Sequence, residues 1–581
     1  MTLLELTRVK KIHYTSILFI SIPLVLSAFT HLWNPVGFPG IHYDEGIYMR
    51  RALHVLEGQG PQEPGRFDHP YFGQLFLAGV FQLLGYPDSI KASGNIHFIE
   101  DLYMVPRLLM GLLAVVDTFL IYKISQYRYN RNVALIASIL FAVMPLSWLT
   151  RRIYLDSIQL PFLLSSILFA VYPYYKKSND NLTKNINYVH QFGKITNSAK
   201  NYTTNNKKNV LVILLSGIFM GIAIFTKIPA FTMIPMVGLL VYMSSRNSNV
   251  DRDFNKVKNP SKSKTFISLL PHRLLHLTKN KSLILLGLWF IPVILIPAIW
   301  PAYSILNNQF DDWKDGVLWQ ATQRPYKGIV DSVNSIYIID PVLVILGLAG
   351  FIFAAVRRDI ALLLWIVPFV LFFTLIEGYV NWFHWIPIIP GFCIAAAKLI
   401  ADISRRIIRN IKVEQIAVYT IVAEIGIFGM VSTGILLSTN VASFQLNASA
   451  FVAHTLIQYE MTNANGIKDN DITIVSSPMY SWIFKYVLGK NNTFSGYNEI
   501  RPLPTQKVLL MVDKLFSDYL DQESGNKRKA DAIDRLQNVY DQSHKIAEFK
   551  GTSNSYNRDE YPYASMKYNY NGGKIQVRTN Y

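Results

Sequence analysis

Tyr71 to Tyr86, YFGQLFLAGVFQLLGY, is the stretch on which the threading of this chain turns. It is apolar, but it is short, it carries Gln74 and Gln82, and it is bounded by His69-Pro70 and Pro87. A helical membrane crossing takes about 20 apolar residues. These residues are therefore read as an interfacial helix lying along the membrane rather than through it. The choice reaches every later segment, because one crossing more or fewer inverts the sidedness of all that follows.

Outward from that stretch, the sequence is 51% hydrophobic and 16% charged over 581 residues, and its apolar residues fall in long blocks nearly free of charge. The blocks read as eleven spans: Thr15–Thr30, Leu102–Ile124, Asn132–Trp148, Ile153–Tyr174, Val210–Thr226, Ile228–Met243, Leu283–Tyr303, Ile336–Ala355, Ala361–Ile376, Trp385–Leu399 and Ile416–Leu437. No small-residue cleavage site follows the first, so it is read as an uncleaved span. Arg8, Lys10 and Lys11 precede it and place the N-terminus on the cytoplasmic side. With Tyr71–Tyr86 left out of the count, the Lys-rich loops around Lys176–Lys208 and Arg246–Lys279 also fall inside, as does the basic run at Arg405–Lys412. The C-terminus is then outside. The fold class expected is a polytopic α-helical membrane protein.

The single cysteine, Cys393, excludes an internal disulfide framework and a cysteine-rich metal site. The formal charge of +18 is spread over loops rather than gathered on one folded face, so nucleic acid is not an expected partner. From about Ser443 the pattern changes. Ile472–Val475, Val508–Val512 and Ile575–Val577 read as short strands and Lys527–Asp541 as a polar helix. The organisation expected is a membrane domain over residues 1–440 and a small exterior α/β domain over 441–581. Asn447-Ala448-Ser449 and Asn491-Asn492-Thr493 are sequons that suit an exterior position.

The chemistry comes from sidedness. Asp44, Glu45, His69, Arg107, Arg151, Asp156, Lys227, Arg324, Lys327 and His384 are scattered in sequence but share one membrane face. Ionisable groups at a bilayer are costly and have a partner or a task. Carboxylates among cations suit a phosphate-bearing lipid: cations neutralise the leaving group and a carboxylate takes the proton of an incoming hydroxyl. No glycine-rich phosphate loop and no His/Cys metal-ligand spacing appears, and a divalent metal is not indicated. The plainer expectations are that Arg151 and Asp156 form an ion pair at their corner, that Asp117 and Glu424 are buried interhelical partners, and that Arg107 snorkels to the headgroups. Arg324, Tyr326 and Lys327 are read as part of a lid.

Taken in order, Tyr43-Asp44-Glu45, Asp68-His69-Pro70, Val105-Pro106-Arg107, Arg151 to Asp156 (RRIYLD), Thr226-Lys227 and Trp385-Ile386-Pro387 form a set over roughly Ser16–Leu399 that resembles the GT-C glycosyltransferases. The likeness is strongest to protein O-mannosyltransferases and to the aminoarabinose transferases acting on lipid A. Where that family usually has His-Pro-Pro, this chain has His69-Pro70-Tyr71. The resemblance implies a polyprenyl-phosphate sugar donor, a protein, lipid or glycan acceptor, and inverting transfer at the non-cytoplasmic face; the unmatched tail points to a plasma membrane rather than an endoplasmic reticulum. It also implies Asp44 as the acceptor-activating base with Glu45 beside it, and Arg107 and Lys227 as groups that hold the lipid phosphate. The tail after Ser443 carries no matching motif. A polytopic transporter or lipid flippase is the alternative, and it predicts internal repeats and interrupted helices near the midplane. A membrane scaffold displaying the tail predicts that Asp44→Asn changes nothing.

Overall fold

The computed structural model describes residues 19–91, 97–188, 200–257, 271–324, 327–408, 410–462, 471–497, 500–521, 527–551 and 573–581. Arg8, Lys10, Lys11, Lys194, Lys258, Lys262, Lys264 and Tyr326 lie outside the described residues.

Among those residues, seven helices are long and apolar enough to cross a membrane, or eight when the bent pair Arg131–Val143 and Pro145–Arg151 is taken as one span. Shorter apolar helices run over Phe19–Leu32, Ile329–Ile339, Pro341–Arg357 and Ile360–Ile376. Their outer faces leave Val25, Leu283, Leu295, Ile352, Val356 and Ile427 exposed. An apolar surface of this extent is stable against lipid and would be an aggregation hazard in water. Inside the bundle, small residues let helices close up. A Cβ on Gly350 would collide with Ala395 of the neighbouring helix, so glycine is what allows that approach. Ser166 and Ser216 exchange hydroxyl-to-carbonyl hydrogen bonds of 2.8 Å between helices.

Three sequence boundaries move for identifiable reasons. The expected span Asn132–Trp148 bends by 67° ahead of Pro145, a residue that removes a donor and clashes with the preceding turn. The expected span Ile336–Ala355 is two helices, Ile329–Ile339 and Pro341–Arg357, broken at Asp340. The Asp340 carboxylate caps the second helix by accepting from Leu343 N at 2.9 Å and also accepts from Leu146 N at 3.1 Å. Glu424 is exposed on its helix rather than buried, and both carboxylate oxygens of Asp117 are buried without a hydrogen-bond partner among the described residues. Tyr71–Tyr86 forms a helix over only Phe72–Leu84, closed by Gly85 in the left-handed region at φ 62°. At 1.5 Å per residue that is about 20 Å, too short to cross.

The C-terminal segment opens with the helix Ser443–Thr462 and contains a four-stranded sheet: β1 (Ile472–Val475), β2 (Lys507–Val512), β3 (His544–Lys550) and β4 (Lys574–Thr579). The strand order is β1-β2-β4-β3, with β1 parallel to β2 and the other pairs antiparallel. β3 was not expected from the sequence because HKIAEFK is charged and lies at the sheet edge, where charge is tolerated and blocks further pairing. Ser449 of the first sequon is buried and donates to Gln445 O, while Asn447 is exposed.

This segment is stitched to the loop between the helices Phe19–Leu32 and Tyr43–Leu56. Ile41 N donates to Gln445 Oε1 at 2.7 Å and Gln445 Nε2 returns a bond to Ile41 O at 3.0 Å. Ala442 N donates to Gly37 O at 3.1 Å. The apolar core runs without a break from Ile136 and Ile158 in the bundle to Ile474, Leu509 and Val577 in the sheet.

Candidate active site

The site is built on the helix Tyr43–Leu56, which follows the apolar helix Phe19–Leu32. Its start is fixed by a capping box: His42 Nδ1 accepts from Asp44 N at 3.3 Å, and Glu45 Oε1 accepts from His42 N at 2.9 Å. Carboxylates in this first turn also meet the favourable end of the helix dipole. Consecutive residues on a helix point about 100° apart, and here that geometry separates the two acids.

Glu45 turns inward and is 0% exposed. Arg107 Nη2 donates to its Oε1 at 2.9 Å and Arg107 Nε to its Oε2 at 3.0 Å. Arg152 Nη1 approaches Oε1 at 3.4 Å, and Ile153 N donates to Oε2 at 3.3 Å. Burial opposes ionisation, but Arg107 and Arg152 together hold the Glu45 carboxyl below its ordinary value. Arg107 spends its remaining donors on the carbonyls of Pro35, Pro39 and Gly40 at 3.0, 2.7 and 3.2 Å.

Asp44 turns the other way, into a cavity of about 410 Å³. The wall around it includes Tyr48, Asp68, His69, Lys227, Arg324 and His384. Among the described residues no donor reaches the Asp44 carboxylate within hydrogen-bonding distance. Burial pushes its pKa up to about 6, against the pull of Lys227 and Arg324 and with help from Asp156 and Asp68. That is a carboxylate poised as a proton acceptor near neutrality.

Lys227 lies just beyond the helix Lys200–Thr226, where its Nζ meets Asp156 Oδ2 at 2.6 Å and stands 5.1 Å from the Phe383 ring centre. The expected Arg151–Asp156 pair is not formed. Arg151 instead donates to the carbonyls of Thr30, Trp33 and Asn34 at 3.0, 2.6 and 3.0 Å, bracing the end of the helix Phe19–Leu32. Arg324 reaches the cavity from the segment after the helix Phe310–Leu318, its guanidinium 4.4 Å from the Tyr379 ring centre and 5.5 Å from that of Trp319. Lys327 does not line the cavity. Its Nζ donates to Asn381 Oδ1 at 2.8 Å and its backbone pairs with Gly378 and Val380, so it ties the neighbouring loop down.

His69 lines the cavity 3.9 Å from Asp68 Oδ2. Burial lowers its pKa to about 3 despite Asp68, and Lys227 and Arg51 lower it further, which keeps the ring neutral. His384 accepts from Asn381 N at 3.1 Å and stacks on Phe373. The cavity therefore gathers Asp44, His69, Lys227, Arg324 and His384, with Asp156 behind Lys227. Arg107, Arg151, Lys327 and Glu45 are supports around it.

Sequence reasoning did not find Arg51, whose Nη2 holds Asp68 at 2.5 Å, nor Arg152 as the second partner of Glu45, nor Tyr48 and Pro478 in the cavity wall. Glu63 and Asp68 lie 13 and 17 residues beyond their partners Arg50 and Arg51, too far along the chain for a local pattern to pair them. Pro478 had no such pattern either, since it comes from the far end of the chain. Among the described residues, no group of three or more His, Cys, Asp or Glu side chains converges in a metal-holding arrangement.

Residues 66–300 match the family model described as dolichyl-phosphate-mannose-protein mannosyltransferase. The matched stretch contains His69, Arg107, Asp156 and Lys227; Asp44 and Arg324 lie on either side of it. Among solved structures, the archaeal oligosaccharyltransferase AglB from Archaeoglobus fulgidus, in complex with an inhibitory peptide and a dolichol-phosphate, is 12% identical. That likeness covers 91% of this chain and 72% of that one, with a TM-score of 0.51. ArnT from Cupriavidus metallidurans, bound to undecaprenyl phosphate, is 12% identical over 97% of this chain and 98% of that one, with a TM-score of 0.47. No curated protein gives a significant match. The long apolar helices and the likeness to AglB agree, and the chain is a polytopic membrane protein with the fold of the GT-C glycosyltransferases.

Proposed function

We propose that this protein transfers a sugar, a hexose or pentose such as mannose, from a polyprenyl-phosphate donor to a hydroxyl of a protein, lipid or glycan acceptor. The observation that carries the reading is the placement of Asp44: an unbonded carboxylate on a cavity wall that also presents Lys227 and Arg324. Lys227 and Arg324 neutralise the phosphate that departs, and Asp44 takes the proton of the incoming hydroxyl. A base and a leaving group on opposite sides of one sugar carbon give single displacement with inversion. The family-model match and the dolichol-phosphate held by the archaeal structure of the same fold support the lipid-linked donor. Glu45 and Arg107 hold the helix that aims Asp44, rather than touching the reacting atoms. The cavity, the first outer loop and the C-terminal segment stand on the non-cytoplasmic face of a plasma membrane in this reading.

The test is transfer of label from radiolabelled polyprenyl-phosphate sugars in membranes containing the full chain. Wild type labels an acceptor and Asp44→Asn does not. Turnover retained in Asp44→Asn overturns the assignment of the base.

A further inference from the structure

A second cavity of about 590 Å³ opens beside the first, between the helix Tyr43–Leu56 and the C-terminal segment. Arg66 lines both cavities and joins them. On the far side stand Lys485, Tyr486 and Arg501, and neither Lys485 nor Arg501 has a carboxylate partner among the described residues. Glu63 also lines it, but its charge is taken up by Arg50 at 2.8 Å, with Arg51 at 3.8 Å. His54, 6% exposed, lines the groove at the C-terminal end of the helix Tyr43–Leu56.

We propose that this groove binds an acidic segment of a protein acceptor, so that the enzyme favours hydroxyls with carboxylates a short distance along the chain. The inference rests on the transferase reading of the Asp44 cavity. Cations surplus to the local acids recognise carboxylates and steer them in. The occupant is a peptide rather than a lipid headgroup because the C-terminal segment supplies one wall, including Ala532 on the polar helix Lys527–Asp541, and none of the exposed apolar side chains of the membrane belt lines it. Spacing follows from geometry. Asp44 and His54 are ten positions apart on one helix, an axial distance of about 15 Å. An extended peptide covers that in about five residues. The carboxylates therefore belong about five residues from the acceptor hydroxyl, not next to it.

The test is fluorescence anisotropy on the purified full chain with labelled Ser/Thr peptides that carry aspartates about five positions away, aspartates adjacent to the hydroxyl, or none. The distal-acid peptide binds tightest, weakens with salt, and loses about tenfold in affinity in Lys485→Glu/Arg501→Glu. The charge-keeping pair Lys485→Arg/Arg501→Lys retains the preference, which separates lost charge from lost folding. Equal binding of the three peptides, an unchanged affinity after charge reversal, or binding of phosphatidylglycerol vesicles in place of any peptide overturns the proposal. No sugar donor is present, so the groove is tested apart from the chemistry. Peptide binding without transfer in the labelled-donor assay removes the transferase reading, whereas transfer with equal KM for acidic and neutral peptides removes only the groove.

Discussion

Glu45 and Arg107 face each other through two hydrogen bonds of 2.9 and 3.0 Å, with side-chain exposures of 0% and 1%. Both carboxylate oxygens are thereby used, while the neighbouring Asp44 keeps its own free for the cavity. Removing one partner leaves the other charged and buried, which costs about 3–5 kcal/mol. Arg107→Ala is expected to lower thermal stability in detergent and to reduce the folded yield in membranes. A melting temperature unchanged from wild type would show that the pair does not hold the loop from Pro35 to Gly40.

Asp44→Asn should behave in the opposite way. The side chain keeps its shape and loses a charge that burial disfavours, so the protein folds at least as well. Transfer falls by about 10²–10⁴-fold, the usual worth of a positioned base. Single-turnover rates at saturating donor are the measurement, since they report chemistry rather than product release.

The pH profile has a definite sign. Asp44 is raised from 3.8 to about 6 by burial, with Lys227 and Arg324 pulling it down. As a base it works deprotonated, so the rate climbs with pH up to about 6 and is flat above it. The stability contribution runs the other way. The folded chain holds the proton more firmly than the unfolded chain, so this group stabilises fully below 3.8 and the contribution is lost as pH rises through about 6. A single-turnover profile flat from pH 5 to about 7 would exclude Asp44 as the proton acceptor.

Lys227 and Asp156 are both nearly closed off from solvent and 2.6 Å apart. Lys227→Met strands Asp156, costing about 3–5 kcal/mol and removing a cation from the cavity. Pairing it with Asp156→Asn relieves the stranded charge. The double variant is expected to recover the melting temperature but not the transfer rate. Recovery of both would make the pair a structural strut and assign phosphate neutralisation to Arg324 alone.

How much of this was legible in the sequence depends on distance along the chain. The apolar blocks carried the membrane fold, and sidedness gathered Asp44, His69, Lys227, Arg324 and His384 onto one face without a shared motif. What sidedness cannot supply is direction. Asp44 and Glu45 look equivalent in sequence, and only a helix starting at Tyr43 sends one to the cavity and the other to Arg107. Arg151 and Asp156 look like partners because they are five apart, yet a strut to the carbonyls of Thr30, Trp33 and Asn34 satisfies Arg151 and frees Asp156 for Lys227. The edge strand β3 is charged, so periodicity does not reveal it. The part played by Pro478 depends on how the C-terminal segment docks, and no local pattern encodes that.

That docking is concentrated at Gly46, one turn along the helix that carries Asp44. A Cβ there would collide with the carbonyl of Pro478 and the Cα of Met479. Both are backbone, so neither can swing aside as a side chain would. Met479 O is also the acceptor for the Tyr103 hydroxyl and for Trp482 Nε1, the latter at 2.9 Å, which fixes this segment to the helix Phe98–Arg128. Gly46→Ala must therefore move the helix or the C-terminal segment. The cost is set by overpacking, about 1–3 kcal/mol. Either movement shifts Asp44 relative to Lys227, whereas the carboxylate itself is intact. The expected outcome is a transfer rate reduced by about 10²-fold, the scale of a 1 Å misplacement, with the Asp44 pH profile keeping its sign. Limited proteolysis should cut the C-terminal segment faster than in wild type, reporting its loosened docking. Wild-type rate and protease resistance in Gly46→Ala would show that the C-terminal segment does not set the position of the base.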